Sequence, residues 1–279
     1  MELHPGDARY PAALHDLPDP PRTLWARGTL ALLDQPCVAI VGTRRATAYA
    51  ERVTREIART LARAGACVVS GLARGVDASA HVGALEEGGA TIAVLGTGLD
   101  VVYPKGHAAL QREIGQRGLL LSELAPANAA HGGSFPRRNR IIAALASVTI
   151  VVEAGVKSGA LITAAHALEL GRTVAAVPGP IDVPQAQGSN ELLRDGASVI
   201  ACMADVLALI GLTAPVQARD LEVGGAERLV WEALAHGGAD IDTLCARISL
   251  PAHEGLAAVS ALEMRGLVEC ALTGEIRRM

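Results

Sequence analysis

Between His131 and Arg140 the chain reads His-Gly-Gly-Ser-Phe-Pro-Arg-Arg-Asn-Arg, and Phe135 is its single phenylalanine. A planar ring beside three guanidinium groups suits a single nucleic-acid strand: the ring stacks on a base while Arg137, Arg138 and Arg140 meet phosphates. Two readings stay open at this point. The ring faces a groove, or it folds back as a small anchor for a surface turn. Aromatic residues make up only 2% of the chain, so core packing gives no obvious reason to set a ring in a basic, glycine-rich loop.

Other chemistry-bearing residues fall in a pattern. Apolar runs are followed in turn by Gly42-Thr43-Arg44-Arg45, Ser70-Gly71-Leu72-Ala73-Arg74-Gly75, Gly96-Thr97-Gly98, Glu123, and Glu153-Ala154-Gly155-Val156-Lys157-Ser158-Gly159. Glycine lets a backbone approach a ligand closely, and N–H groups at helix starts favour anions. If the runs are parallel strands, these turns share one rim, and Arg44, Arg74, Arg137, Arg138, Arg140 and Lys157 form a polyanion site there. The competing view is that the glycines shape tight turns while the arginines are solvated.

Sharper motifs are absent. No G-x-G-x-x-G follows the first run, Val156 stands where a phosphate loop needs glycine before Lys157, and there is no G-x-S-x-G or H-E-x-x-H. No catalytic residue, metal ligand or cofactor is therefore expected. Asp77, Glu123 and Glu153 could act as acids or bases, but Asp77 and Glu153 are expected to satisfy loop N–H groups or arginines; His81 and His166 are expected inside helices, packed or half-exposed.

The elements that must position these residues follow from periodicity. Apolar runs at Cys37–Val41, Cys67–Ser70, Thr91–Leu95, Leu119–Ser122, Val148–Val152, Thr173–Val177 and Ser198–Ile200 alternate with helical segments. The runs are continuous rather than alternating, as in strands buried on both faces. The pattern predicts an α/β fold: a Rossmann-like, doubly wound, mostly parallel sheet over 37–211. Residues 1–36, with Asp19-Pro20-Pro21, read as an extended strap, and 212–225 as a linker. Residues 226–279 carry three short helical segments and a hairpin with a Thr273-Gly274 turn, the pattern of a small C-terminal winged-helix domain.

Charge separates the two parts. Residues 37–200 carry 16 basic against 13 acidic side chains, while 220–279 carry 5 against 10. Any polyanion site is thus a local patch of the central domain, although the whole chain has a net charge of −4. The predicted recognition helix, Ala252 to Arg265, offers Glu254 and Glu263 beside His253 and Arg265, so the last domain is expected to serve protein contacts or regulation. The five cysteines form no C-x-x-C pair, no apolar run is long enough for a membrane, and the first residues lack a signal-peptide pattern. A cytoplasmic protein without membrane association is expected.

At these residues the chain resembles the DNA-processing protein A family (DprA, also called Smf). The matching pieces are Tyr10-Pro11, Asp19-Pro20-Pro21, Val41-Gly42-Thr43-Arg44, Ser70 to Asp77, Gly96-Thr97-Gly98 with Tyr103-Pro104, Phe135 to Arg140, Val152-Glu153-Ala154 with Lys157-Ser158-Gly159, Pro178-Gly179, and Gly188-Ser189-Asn190. The resemblance implies a non-catalytic protein that binds single-stranded DNA, forms a homodimer, protects incoming DNA and loads the RecA recombinase onto it during natural transformation and recombination. The DNA-binding positions it implies here are Gly42, Thr43, Arg44, Ser70, Gly71, Arg74, Phe135, Arg137, Arg138, Arg140 and Lys157. Because the strap begins at once, the extra N-terminal helical domain of some members is expected to be missing. The alternative is a nucleotide-processing, phosphoribohydrolase-like enzyme of related Rossmann-like families, with Glu153 and Arg74 cast in its site.

Overall fold

The computed structural model describes residues 1–211, 224–234, 237–264, 267–271 and 274–278, which fall into two compact units, Met1–Pro215 and Val216–Met279. The parallel core of the first unit consists of β3 (Cys37–Val41), β4 (Cys67–Ser70), β5 (Thr91–Leu95), β6 (Leu119–Ser122), β7 (Val148–Val151), β8 (Thr173–Ala176) and β9 (Ser198–Val199). They lie in the order β6-β5-β4-β3-β7-β8-β9. The chain winds outward from β3 to β6 and returns to the other side of β3 as β7, which makes the β3–β7 junction the topological switch point.

Side chains that alternate along these strands enter two apolar layers. Ala39, Val41, Val69 and Val94 pack under α4 (Ser134–Leu145) and α5 (Gly159–Glu169). Val38, Ile40, Val68 and Ile150 pack under α1 (Ala48–Arg63) and α2 (Val76–Glu86). Burial on both faces is why the strands read as unbroken apolar runs.

Residues 1–36 are more than a strap leading to the domain. They supply β1 (Glu2–Leu3) and β2 (Leu24–Gly28), and β2 pairs antiparallel with β6 at the sheet edge. Leu3, Tyr10, Leu14, Leu17 and Leu24 join the same core layer as α4. The Tyr10 hydroxyl donates to the Pro21 carbonyl at 2.9 Å, which closes the proline-rich turn onto that core. Proline bars regular helix in this stretch but does not bar strands, since β1 and β2 themselves contain no proline.

The second unit has α8 (Gly225–Ala233), α9 (Ile241–Ile248), α10 (Ala252–Met264) and a hairpin of β10 (Val268–Cys270) and β11 (Ile276–Arg278). Val230, Leu234, Leu244, Val259, Leu262, Val268 and Ile276 form its own core. Most of the expected linker, Arg265 and Thr273 lie outside the described residues.

Candidate nucleic-acid interface

At the switch point, the turn after β3 meets the turn after β7. The Thr43 N–H donates to the Glu153 carbonyl at 2.7 Å. Thr47, the N-cap of α1, donates to both Glu153 carboxylate oxygens, from its N–H at 2.9 Å and from its hydroxyl at 2.8 Å. Glu153 is buried, and both of its carboxylate oxygens take part in this stitch between the turns. A Cβ on Gly42 would lie 2.5 Å from a Val76 methyl and 2.9 Å from the Glu153 carbonyl oxygen, so only glycine fits where these turns converge.

Two adjoining basins open along the carboxyl ends of the strands. One, of about 700 Å³, is lined by Thr43, Arg44, Arg45, Phe135 and Lys157. The other, of about 560 Å³, is lined by Arg44, Arg74, Tyr103, Lys105 and Phe135. Phe135 is common to both and half-buried. One flank of its ring packs so closely on Gly96 that a Cβ there would sit 2.5 Å from the ring. The Tyr103 ring lies 5.0 Å away at 36°, and the Arg44 guanidinium lies 5.3 Å from the Phe135 centroid. The two sequence readings of Phe135 therefore both hold: it is anchored on Gly96 and still borders the groove.

The segment around Phe135 is not a loop. Helix α4 begins at Ser134, with Gly133 in the left-handed region at φ 84° as its N-cap, so helical spacing turns Arg138 away from Arg137 and Arg140. Arg138 stands three and four residues before Ile141 and Ile142, both buried, and continues that inward stripe. Its guanidinium lies beneath the basins and donates to the carbonyls of Gly71, at 2.6 Å, and Val94. Burial pulls its pKa down to about 10, opposed by the nearby Asp77 carboxylate. Arg137 and Arg140, three apart, share a face and both reach Glu123, at 3.2 and 2.6 Å. Arg140 is also bonded to the Asp19 carbonyl at 2.6 Å, and its side chain is only 11% exposed, whereas Arg137 is 57% exposed.

Three expected positions are tied into the fold. Arg138 lines both basins but donates to buried carbonyls, and Arg140 donates to the Asp19 carbonyl and to Glu123. Ser70 is fully buried, and its hydroxyl donates to the Ile40 carbonyl at 2.7 Å, tying β4 to β3. Gly71 is needed because a Cβ would lie 2.4 Å from the Arg138 guanidinium. The other expected positions line the two basins, except Arg137, which borders a smaller hollow of about 260 Å³ with Asp19 and Glu123.

Sequence reasoning missed Arg45, Tyr103 and Lys105. Their signals were adjacency to Arg44 and position after the third parallel strand, where Gly96-Thr97-Gly98 leads to Tyr103-Pro104-Lys105. Arg44, Arg45, Arg74, Lys105 and Lys157 are all exposed, and among the described residues none forms an ion pair. Asp77 is the one carboxylate among the residues lining the two basins. Burial raises its pKa, against the pull of Arg138, and it accepts from the Ala73 N–H at 3.3 Å. His81 is buried, its Nδ1 2.7 Å from the Thr91 hydroxyl, and burial lowers its pKa to about 3, so it stays neutral. Among the described residues no cluster of His, Cys, Asp and Glu has the geometry to hold a metal ion, and no helix is long and apolar enough to cross a membrane.

Comparison with known proteins agrees with this architecture. A family model described as DNA recombination-mediator protein A matches residues 2–211, and one described as DprA winged helix domain matches residues 213–271. The putative DNA processing protein DprA of Mycobacterium tuberculosis is 42% identical over 261 residues, 90% of this chain and 67% of that protein. Protein Smf of Escherichia coli is 42% identical over 207 residues, and there this chain spans 55% of the relative's length. The X-ray structure of DprA from Streptococcus pneumoniae superposes with a TM-score of 0.72 at 42% identity, covering 75% of this chain and 73% of that one. DprA from Helicobacter pylori, whose structure was described for its single-stranded DNA binding mode, superposes at 0.69 and 37% identity, over 76% of this chain and 96% of that one. The chain belongs to the DNA recombination-mediator protein A (DprA) family, with a Rossmann-like domain followed by a winged-helix domain.

Proposed function

We propose that this chain is a non-catalytic single-stranded DNA-binding protein whose strand lies in the two basins along the carboxyl edge of the sheet. The observation that carries the reading is the set of five exposed cations without ion pairs among the described residues, Arg44, Arg45, Arg74, Lys105 and Lys157, around the rings of Phe135 and Tyr103. Cations of this kind hold phosphates, while a ring accepts any base because every base has a π-face. The single-strand binding mode of the Helicobacter pylori relative supports it.

The same reading extends to the role of the family. The bound strand is protected and handed to the RecA recombinase during transformation and recombination, with the protein acting as a homodimer in the cytoplasm. Two adjacent grooves in a dimer raise the effective concentration of the second for a strand already held by the first. The winged-helix domain, carrying excess negative charge, contributes protein contacts rather than duplex binding.

A gel shift with single- and double-stranded oligonucleotides over a salt series tests the core of the proposal, using wild type and Phe135→Ala. The single strand should bind more tightly than the duplex, with log affinity falling by about 0.7 per phosphate neutralised for each tenfold rise in salt. Equal affinity for both forms, or none for either, would sink it. Release of a free base from a mononucleotide would instead favour the phosphoribohydrolase-like alternative.

A further inference from the structure

We infer that His107 is a positioning residue for strand recognition, fixing the turn that presents Arg74 relative to the segment that presents Tyr103 and Lys105. The inference rests on the reading of the rim as a single-strand site. His107 closes the 3₁₀ turn Lys105–His107, and its own N–H bonds back to the Pro104 carbonyl at 2.9 Å. Its Nδ1 lies 3.1 Å from the carbonyl of Leu72, in the turn after β4. A carbonyl only accepts, so Nδ1 is the donor. The bond therefore ties the segment that supplies Tyr103 and Lys105 to the basin to the turn that supplies Arg74.

The turn it holds is one that does not persist by itself. Leu72 is fully buried and sits at φ 56°, one of two non-glycine residues with positive φ among the described residues. A branched side chain disfavours that conformation, so neighbours must over-determine it. Three contacts do so on successive residues: Arg138 on the Gly71 carbonyl, His107 on the Leu72 carbonyl, and Asp77 on the Ala73 N–H. Arg138 and Asp77 belong to the buried floor. His107 is half-buried and is the contact that comes from the segment supplying Tyr103 and Lys105. Without it, the carbonyl at the strained residue loses its partner, and the Arg74 backbone is free to swing away from Lys105.

The test uses the full chain and a fluorescently labelled oligothymidylate, with affinity and salt slope measured by anisotropy and folding followed by thermal melting. Asparagine places an amide N–H where the imidazole Nδ1–H stood, whereas glutamine places it one bond further out. His107→Leu and His107→Gln should each weaken binding about fivefold, the scale of one lost hydrogen bond. They should also flatten the salt slope toward that of Arg74→Ala, and His107→Asn should restore both. In an Arg74→Ala background, His107→Leu should add nothing, because its effect runs through Arg74. The positioning role is overturned if the asparagine and glutamine variants bind alike, or if the two substitutions are additive. If wild type and Arg74→Ala alike bind no single strand, the rim reading falls, and this inference falls with it.

Discussion

Cations around the groove and cations of the second unit meet opposite fates. Around the groove, Arg44, Arg45, Arg74, Lys105 and Lys157 face solvent with no ion pair among the described residues. In the second unit, three of the four described arginines are held: Arg228 by Glu232 at 2.8 Å, Arg277 by Glu275 at 2.5 Å, and Arg278 by the Trp231 carbonyl at 2.8 Å, over the Trp231 ring. Only Arg247 of the four has no such contact. The exposed face of α10 is Ala252, His253, Glu254, Leu256, Ala257, Ser260 and Glu263, which carries no arginine or lysine. A polyanion site is thus decided less by the number of cations than by whether the fold leaves their donors and charge unanswered.

The comparison recurs within α4 on a smaller scale, and this gives the largest expected effect. Arg138→Met should cost about 3 kcal/mol or more in stability, since two charge-assisted bonds to buried carbonyls are lost and Asp77 loses its cation. Exposed Arg137, by contrast, should lose no more than about 0.5 kcal/mol on conversion to alanine. Urea unfolding of both variants measures the gap, and equal losses would mean Arg138 is not the buried floor of the site.

Within the groove, ring and cations should separate by their salt behaviour. Phe135→Ala should weaken single-strand binding by ~1–3 kcal/mol, the range for one stacked base, with little change in salt slope. Gly96→Val, which places a branched side chain where the ring rests, should reproduce that loss through displacement. Arg44→Ala should lower affinity and reduce the slope by about 0.7, one phosphate contact. An unchanged slope for Arg44→Ala would show that this cation touches no phosphate.

The smallest effect should come from the second unit. A chain ending at residue 211 retains the whole sheet and its rim, so its single-strand affinity should stay within about a factor of two. A tenfold loss would place essential contacts in the winged-helix unit and break the contrast between the two regions.

Much of the fold was legible because both-face burial writes itself into a strand as an uninterrupted apolar run, and glycine must stand where turns crowd. Cys37–Val41 and Gly42 are examples: every residue of the strand is buried, and Gly42 has no room for a methyl. The strand Leu24–Gly28, which pairs with β1 on one side and β6 on the other, was not legible. Its neighbours are prolines, and its partner, Leu119–Ser122, is distant in sequence. The rim residues after successive strands could be foreseen from the rule that parallel strands send their turns to one edge. Lys105 and Tyr103 escaped because the stretch between Gly98 and Pro104 has no period that says which way it runs.

By itself, the sequence determined the class of fold, the edge of the sheet that carries the chemistry, and the opposite charge balance of residues 37–200 and 220–279. These follow from patterns a few residues long: apolar runs, glycine turns and the local balance of acids and bases. Only the tertiary structure decided which cations remain available. Arg137, Arg138 and Arg140 are interchangeable on paper. In the fold, 100° of helical rotation per residue turns Arg138 onto the carbonyls of Gly71 and Val94 and Arg140 onto Asp19 and Glu123. That choice depends on partners 17 to 121 residues away, and no local pattern encodes them.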